Sequence, residues 1–271
     1  MLAGAFVPIF ADAGCSRVII IPAAQSGHTV AFKGDEAVGV MPDMFKRLAS
    51  ATGCSFRWSL VPRIRLEAMF ESGTADLLLV ATESERRDRH GTFVPLVESR
   101  ATLISLASER PRVSNFDELL ARRELRVALV RGYDYGEQYL ELIKKLSTQR
   151  RVYFEPDPVA VGRLMAHGMA DVTIMPPTAF AGALRDDARV SFLLPKLRVE
   201  PLGELPWIKT GIYLSNKALS PGDRDILKRA LTSAQRSGAW WSTINQFYSK
   251  ADLADHVRQL CPADGNGCSA R

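Results

Sequence analysis

The order helix, glycine turn, apolar strand and arginine-bearing loop over residues 63–96 constrains the fold of this 271-residue chain more than any other stretch. Leu66, Met69 and Phe70 recur at helical spacing, and Gly73 ends that helix. Leu77, Leu78, Leu79 and Val80 then form an unbroken apolar run, the pattern of a strand covered on both faces of its sheet. The following loop holds Thr82, Ser84, Glu85, Arg86, Arg87 and Arg89 before Phe93 opens another apolar segment. Open α/β sheets bind ligands at the carboxyl ends of their strands. A hydroxyl beside a guanidinium at that place suits a carboxylate, because the planar fork grips both oxygens. A solvated charged loop is the alternative reading of the same arginines.

Strand and helix patterns alternate along the rest of the chain, so the fold class is α/β. Strands are expected at 17–22, 56–61, 76–80, 101–107, 126–130, 152–154 and 171–175, with a hairpin over 28–38 turning at Lys33, Gly34 and Asp35. Helices are expected at 42–51, 63–72, 135–146, 158–166, 221–237 and 240–248. Another helix starts after Asn115, which can cap it. Residues 178–184 and 190–194 complete the second set, and a strand follows from Gly211. Residues 195–211 and the tail after Lys250 show no clear period.

The formal net charge of +5 invites a nucleic-acid reading. The charge is scattered, however, and Glu124 breaks the cluster of Arg122, Arg123 and Arg126. No zinc spacing or stacking motif accompanies it, so no nucleic-acid partner is expected. A mildly basic surface attracts anionic solutes. No run of about 18 uncharged apolar residues occurs. Residues 1–14 read as the remnant of a signal peptide, since 2–11 are apolar and Ala11-Asp12-Ala13 fits a small-x-small cleavage site. The four cysteines, Cys15, Cys54, Cys261 and Cys268, fit disulfides in an oxidising compartment. Cys15 and Cys54 each precede a strand, and a bridge is easy if those strands are neighbours. Cys261 and Cys268 bracket a turn-rich loop that a bridge would close. All three pairings stay open, as do four free thiols and a lipid anchor at Cys15. No ligand spacing for a metal occurs, and no cofactor is expected.

Gly73-Thr74-Ala75-Asp76, the strand after it, Thr82 with Ser84-Glu85-Arg86-Arg87, and Phe93-Val94-Pro95-Leu96 together resemble one family's run of motifs. These are "G-x-x-D", an apolar strand, "T-x-x-x-x-E-R" and "F-S-x-P-Y" of the periplasmic solute-binding proteins of family 3, the polar amino-acid type. Gly39 to Asp43 resembles that family's "G-x-x-x-D", and Gly168-Met169-Ala170-Asp171 repeats "G-x-x-D". Residues 210–215 resemble the strand that returns to the first lobe. The resemblance spans 17–248. It implies a two-lobed type 2 periplasmic-binding fold, each lobe a mixed sheet flanked by helices, with the ligand cleft between. Lobe 1 would be 16–105 with 200–250, lobe 2 106–199, and 251–271 a tail with a Cys261–Cys268 loop. Hinges would lie near 102–105 and 197–207. It further implies a periplasmic monomer that hands a small polar, carboxylate-bearing solute, an amino acid or a relative, to the membrane permease of an ABC transporter.

On this resemblance the ligand-binding arginine is Arg87, with Arg86 as its alternative. Thr82 and Ser84 donate hydroxyls beside it, or else cap the turn. Arg65 sits in Pro62-Arg63-Ile64-Arg65-Leu66, which resembles "P-x-x-R-x-L" of a related subset; it faces the cleft or flanks the helix. Arg131, Tyr133 and Asp134 lie between a strand and a helix start, where backbone N–H groups bind anions. Tyr133 and Tyr135 offer stacking surface, and Gln25, Ser26 and His28 follow the first strand. The family's ammonium-binding Asp would fall at Met175-Pro176-Pro177, which has no carboxylate. An acid without an ammonium therefore fits as well as an α-amino acid. No Ser/His/Asp set, Gly-x-Ser-x-Gly or paired carboxylate marks a catalytic centre, and no catalytic residue is named. A cyclohexadienyl dehydratase shares this fold and stands as the enzymatic alternative; a ligand-sensing partner of a membrane receptor is the third.

Overall fold

The computed structural model describes residues 14–260 except 186, 254 and 255. All but the last residue of the expected signal-peptide remnant, 1–14, and the expected Cys261–Cys268 loop lie outside the described residues. Strand β1 (Ile19–Ala23) leads to a hairpin of β2 (Ala31–Lys33) and β3 (Glu36–Val38). Helix α1 (Val40–Thr52), β4 (Phe56–Leu60), α2 (Arg63–Ser72), β5 (Leu77–Thr82), short α3 (Glu85–Asp88) and β6 (Gly91–Ser99) follow. Next come β7 (Thr102–Leu106), α4 (Phe116–Ala121), β8 (Val127–Val130), α5 (Glu137–Thr148), β9 (Val152–Glu155) and α6 (Pro158–Ala166). After β10 (Val172–Met175) and α7 (Pro177–Arg185), a 3-10 turn over Ser191–Lys196 precedes β11 (Leu197–Glu200). The chain ends with β12 (Ile208–Ser215), α8 (Pro221–Arg236), α9 (Ala239–Phe247), α10 (Lys250–Leu253) and β13 (Val257–Gln259). None of the described helices is long and apolar enough to cross a membrane.

Two lobes result. In the first, β13, β6, β12 and β5 form one sheet, β1 pairs in parallel with β4, and β1 packs beside β5. The second holds a mixed sheet in the order β11-β7-β10-β8-β9. Each has its own core. Ile19, Ile21, Phe45, Leu79 and Ile212 are buried in one, and Ile104, Leu129, Val161, Ile174 and Phe180 in the other. Helix α1 contributes Met41, Met44, Phe45 and Leu48 from one face and stops at Gly53 in the left-handed region, φ 70°. The caps are those the sequence offers: Asn115 Oδ1 accepts from the Glu118 N–H at 2.8 Å, and Ser220 Oγ accepts from that of Asp223.

The two G-x-x-D motifs do the same work in both lobes. Asp76 accepts two bonds from the Arg17 guanidinium, at 2.6 and 2.7 Å, and one from the Ile20 N–H. Asp171 accepts from the backbone N–H, Nε and Nη2 of Arg126 at 2.8–3.0 Å. Each Asp thereby fastens the start of the neighbouring strand with charge-assisted bonds. Cys15 and Cys54 form a disulfide with Cα atoms 4.7 Å apart, just ahead of the paired β1 and β4. Its 39-residue separation corresponds to about 3–4 kcal/mol of stabilisation in the loop-entropy account.

Three features differ from the sequence reading. β7 hydrogen-bonds to β10 and β11, so the chain changes sheets at Arg100 and Ala101 rather than after residue 105. Its apolar run is equally compatible with either sheet. β11 lies in the stretch without a clear period. Glu200 is buried there because Ser105 Oγ, the Val113 N–H and the guanidinium groups of Arg110 and Arg198 all bond it. β13 pairs with β6, although the tail after Lys250 shows no clear period in the sequence. The Trp207 ring beside this crossing lies between Arg100 and Arg258, 4.9 and 4.3 Å from their guanidinium carbons.

Candidate functional site

The carboxyl ends of β1, β4, β5, β8, β9 and β10 converge on a cavity of about 770 Å³ between the lobes. From the first lobe it is lined by Gln25 and Ser26, by Val61 and Arg63 at the start of α2, and by Val80, Thr82 and Arg87. Tyr133, Asp134 and Tyr135, the turn at Pro156 and Asp157, and Ala179 of α7 line it from the second. Val80 has φ 52°, which for a β-branched residue stores about 1–3 kcal/mol of strain. The cause is a bulge. β12 registers Gly211 with Ala81 and Ile212 with Leu79, leaving Val80 unpaired and turned toward the cavity.

Arg87 is held differently from the expectation that it grips a ligand. Its side chain is 1% exposed, and its guanidinium is satisfied within the protein. Nε and Nη2 donate to the two oxygens of Glu67 at 3.2 and 2.7 Å. Nη1 donates to the Thr82 carbonyl and hydroxyl at 2.8 and 2.9 Å. Glu67, one turn into α2, also faces Arg63 at 3.6 Å and Arg86 at 3.0 Å. Burial disfavours its charge, but the bonds from Arg87 and the surrounding guanidinium charges outweigh that and hold the carboxyl below its ordinary 4.5. A depressed carboxyl contributes stability that is complete above the ordinary value and is lost as pH falls through the depressed one. Urea midpoints should therefore drop as pH is lowered from about 5 to 3, and the drop should be smaller in Glu67→Gln. Equal pH profiles for the two proteins would refute this assignment.

Comparison with solved structures gives the fold. A histidine kinase sensor domain with similarity to periplasmic binding proteins superposes with a TM-score of 0.67 at 17% identity, over 86% of this chain and 96% of that one. A double mutant of the BvgS VFT2 domain from Bordetella pertussis gives 0.64 at 20% identity, over 85% and 93%. An amino-acid ABC transporter substrate-binding protein from Streptococcus pneumoniae, bound to L-arginine, gives 0.67 at 13% identity, over 90% and 95%. The chain has the type 2 periplasmic-binding fold. No family model matches the sequence, and neither does any curated protein.

In this periplasmic-binding fold the lobes touch on both sides of the cleft. Gly27 and Gly182 meet backbone to backbone, such that a Cβ built on Gly182 would lie 2.6 Å from the Gly27 Cα. Arg185 Nη1 lies 2.5 Å from His28 Nε2, so that ring nitrogen is the acceptor. Across the cleft, the Arg63 guanidinium lies over the Tyr133 ring at 6.0 Å, and Thr82 Oγ1 reaches the Asp134 carbonyl at 3.5 Å. Tyr133, Tyr135 and Tyr139 continue as edge-on rings, with centroids 5.9 and 4.9 Å apart. Burial raises the phenol pKa of all three.

Of the residues singled out in the sequence, Gln25, Thr82, Arg87, Tyr133 and Asp134 lie in the cavity wall, and Ser84, Arg65 and Arg131 do not. The Ser84 N–H donates to the Tyr213 hydroxyl, which in turn donates to Asp88, pinning α3. Arg131 is exposed and donates to the Phe154 carbonyl. Arg65 is exposed too, and Arg63 takes the cleft position. The helical period carried that signal. Arg63 lies three residues before buried Leu66 and seven before buried Phe70, on their face of α2, whereas Arg65 points elsewhere.

Proposed function

We propose that the protein is an extracytoplasmic solute-binding protein that captures a small, carboxylate-bearing solute between its lobes and delivers it to an ABC-type membrane transporter. The observation that carries this reading is the cavity itself, at the carboxyl ends of both lobes' strands, with the Arg63 guanidinium in its wall. Gln25, Thr82, Tyr133 and Asp134 complete the contact surface, and Arg87 braces the loop behind it. The disulfide suits an oxidising compartment such as the periplasm. Hinge motion at 100–101 and 201–207 opens and closes the cleft, and the closed monomer is the form a permease recognises. Likeness to the histidine kinase sensor domain favours ligand sensing as a second reading.

A thermal-shift panel of carboxylates, amino acids, polyamines and sugars tests the binding step on the oxidised protein. A ligand that binds only the folded state raises Tm, and the carboxylates are expected to do so. No shift across the whole panel would remove the solute-binding reading. Delivery predicts that loaded protein raises ATP hydrolysis by its transporter in membrane vesicles; a change in kinase activity instead would support sensing.

A further inference from the structure

We propose, resting on the solute-binding reading above, that the cleft takes a carboxylate with an apolar or aromatic body and no ammonium group. The first support is a charge balance. Arg63, Arg86 and Arg87 are ion-paired with Glu67 and Glu71, three guanidinium groups against two carboxylates. Each nitrogen of Arg87 has an acceptor, and Arg86 is bonded to Glu67 at 3.0 Å. Arg63 reaches Glu67 only at 3.6 Å, beyond hydrogen-bond distance, and its Nε is buried with no acceptor. The surplus positive charge therefore rests on the one guanidinium of the three that lies over Tyr133. The Arg63 side chain keeps some exposed surface in the cavity wall, and an anion there balances its charge. The planar fork favours a carboxylate.

The second support concerns the other end of an amino acid. The carboxylates in the wall already hold structural bonds. Asp134 Oδ1 accepts from the Gly136 N–H at 2.9 Å and Asp157 Oδ1 from that of Ala160 at 2.8 Å, the latter capping α6. Asp187 is bonded twice by the Arg189 side chain, with Arg163 adding positive charge beside it. β10 ends in Met175, Pro176 and Pro177, which bring no side-chain acceptor to the cleft. An α-ammonium would meet no carboxylate at the end of β10, and elsewhere only ones that already hold backbone or arginine bonds.

The third support is the body of the cavity. Val61, Leu66, Val80, Val130, Pro158 and Ala179 make its walls predominantly apolar, with Tyr133 as an aromatic face. Its 770 Å³ is the space of roughly 25 waters, which suits a branched or ring-bearing acid.

Isothermal titration of the full, oxidised protein with matched pairs tests this. 3-Phenylpropanoate differs from phenylalanine, and 4-methylpentanoate from leucine, by the ammonium alone. At least one acid should bind tighter than its amino acid by about tenfold or more, the equivalent of 1.4 kcal/mol. Arg63→Gln should weaken that acid by a similar factor, Arg63→Lys by less, and Arg65→Gln not at all. Tighter binding of the amino acids, or unchanged affinity in Arg63→Gln, would overturn the proposal and leave solute binding standing. Binding of neither class at millimolar concentration would overturn both.

Discussion

Replacing Glu67 by Gln is expected to cost about 3–5 kcal/mol of folding stability, the range for removing one partner of a buried ion pair. The reason lies in Arg87, whose guanidinium is almost wholly buried and donates two charge-assisted bonds to Glu67. Glutamine retains an acceptor oxygen but no charge, so a desolvated cation is left facing Arg63 and Arg86. In a chain of this length the loss corresponds to a fall in Tm of about 10 °C. Urea unfolding of the single variant and of Glu67→Gln/Arg87→Met separates the causes. The double variant should recover most of the loss, because removing both charges leaves none stranded. A single-variant loss below about 1 kcal/mol, the scale of an exposed pair, would show that Glu67 does not neutralise Arg87.

Gly182→Leu should weaken any ligand of the closed cleft by about a hundredfold while leaving the fold intact, with Gly182→Ala intermediate. Gly182 lies in α7 and its nearest neighbours are the Gly27 Cα and the His28 nitrogen of the other lobe. The opposing loop has little room to give. Gly27 is already in the left-handed region, and the His28 and Thr29 carbonyls accept the first N–H groups of α1. A side chain is therefore accommodated by separating the lobes. Neither hydrophobic core is touched, and a helical Gly→Ala change by itself favours the helix by about 1 kcal/mol. Small-angle scattering should show a larger radius of gyration, and titration the lost affinity. An unchanged affinity would mean that the glycine contact is not part of the binding-competent state.

The alternation of apolar strands and amphipathic helices was readable because each lobe repeats one local rule: a helix face, a glycine stop, a covered strand. Asn115 as a cap followed from an equally local signal, whereas Cys15–Cys54 was one of three open pairings and is decided by the pairing of β1 with β4. The allegiance of β7 was not readable, because Leu103 and Ile104 would be buried in either sheet. β11 and β13 escaped because short edge strands carry few apolar positions: β11 alternates over only four residues, Leu197 to Glu200, and β13 has Val257 alone. In the site, the choice between Arg63 and Arg65 was present in the period of α2. The fate of Arg87 was not, since its partner Glu67 stands 20 residues earlier on another element and only the packed structure joins them.

The strand order also sets an order of assembly. All five strands of β11-β7-β10-β8-β9 come from one continuous stretch, Thr102 to Glu200. The other large sheet needs β12 between β5 and β6, and that strand begins only at Ile208. On a ribosome, the second lobe can therefore complete its hydrogen-bonded ladder while the first still waits with the facing edges of β5 and β6 open. The first half of the chain is made first and finished last, and its exposed edges are what a translocating or nascent chain must keep from pairing elsewhere.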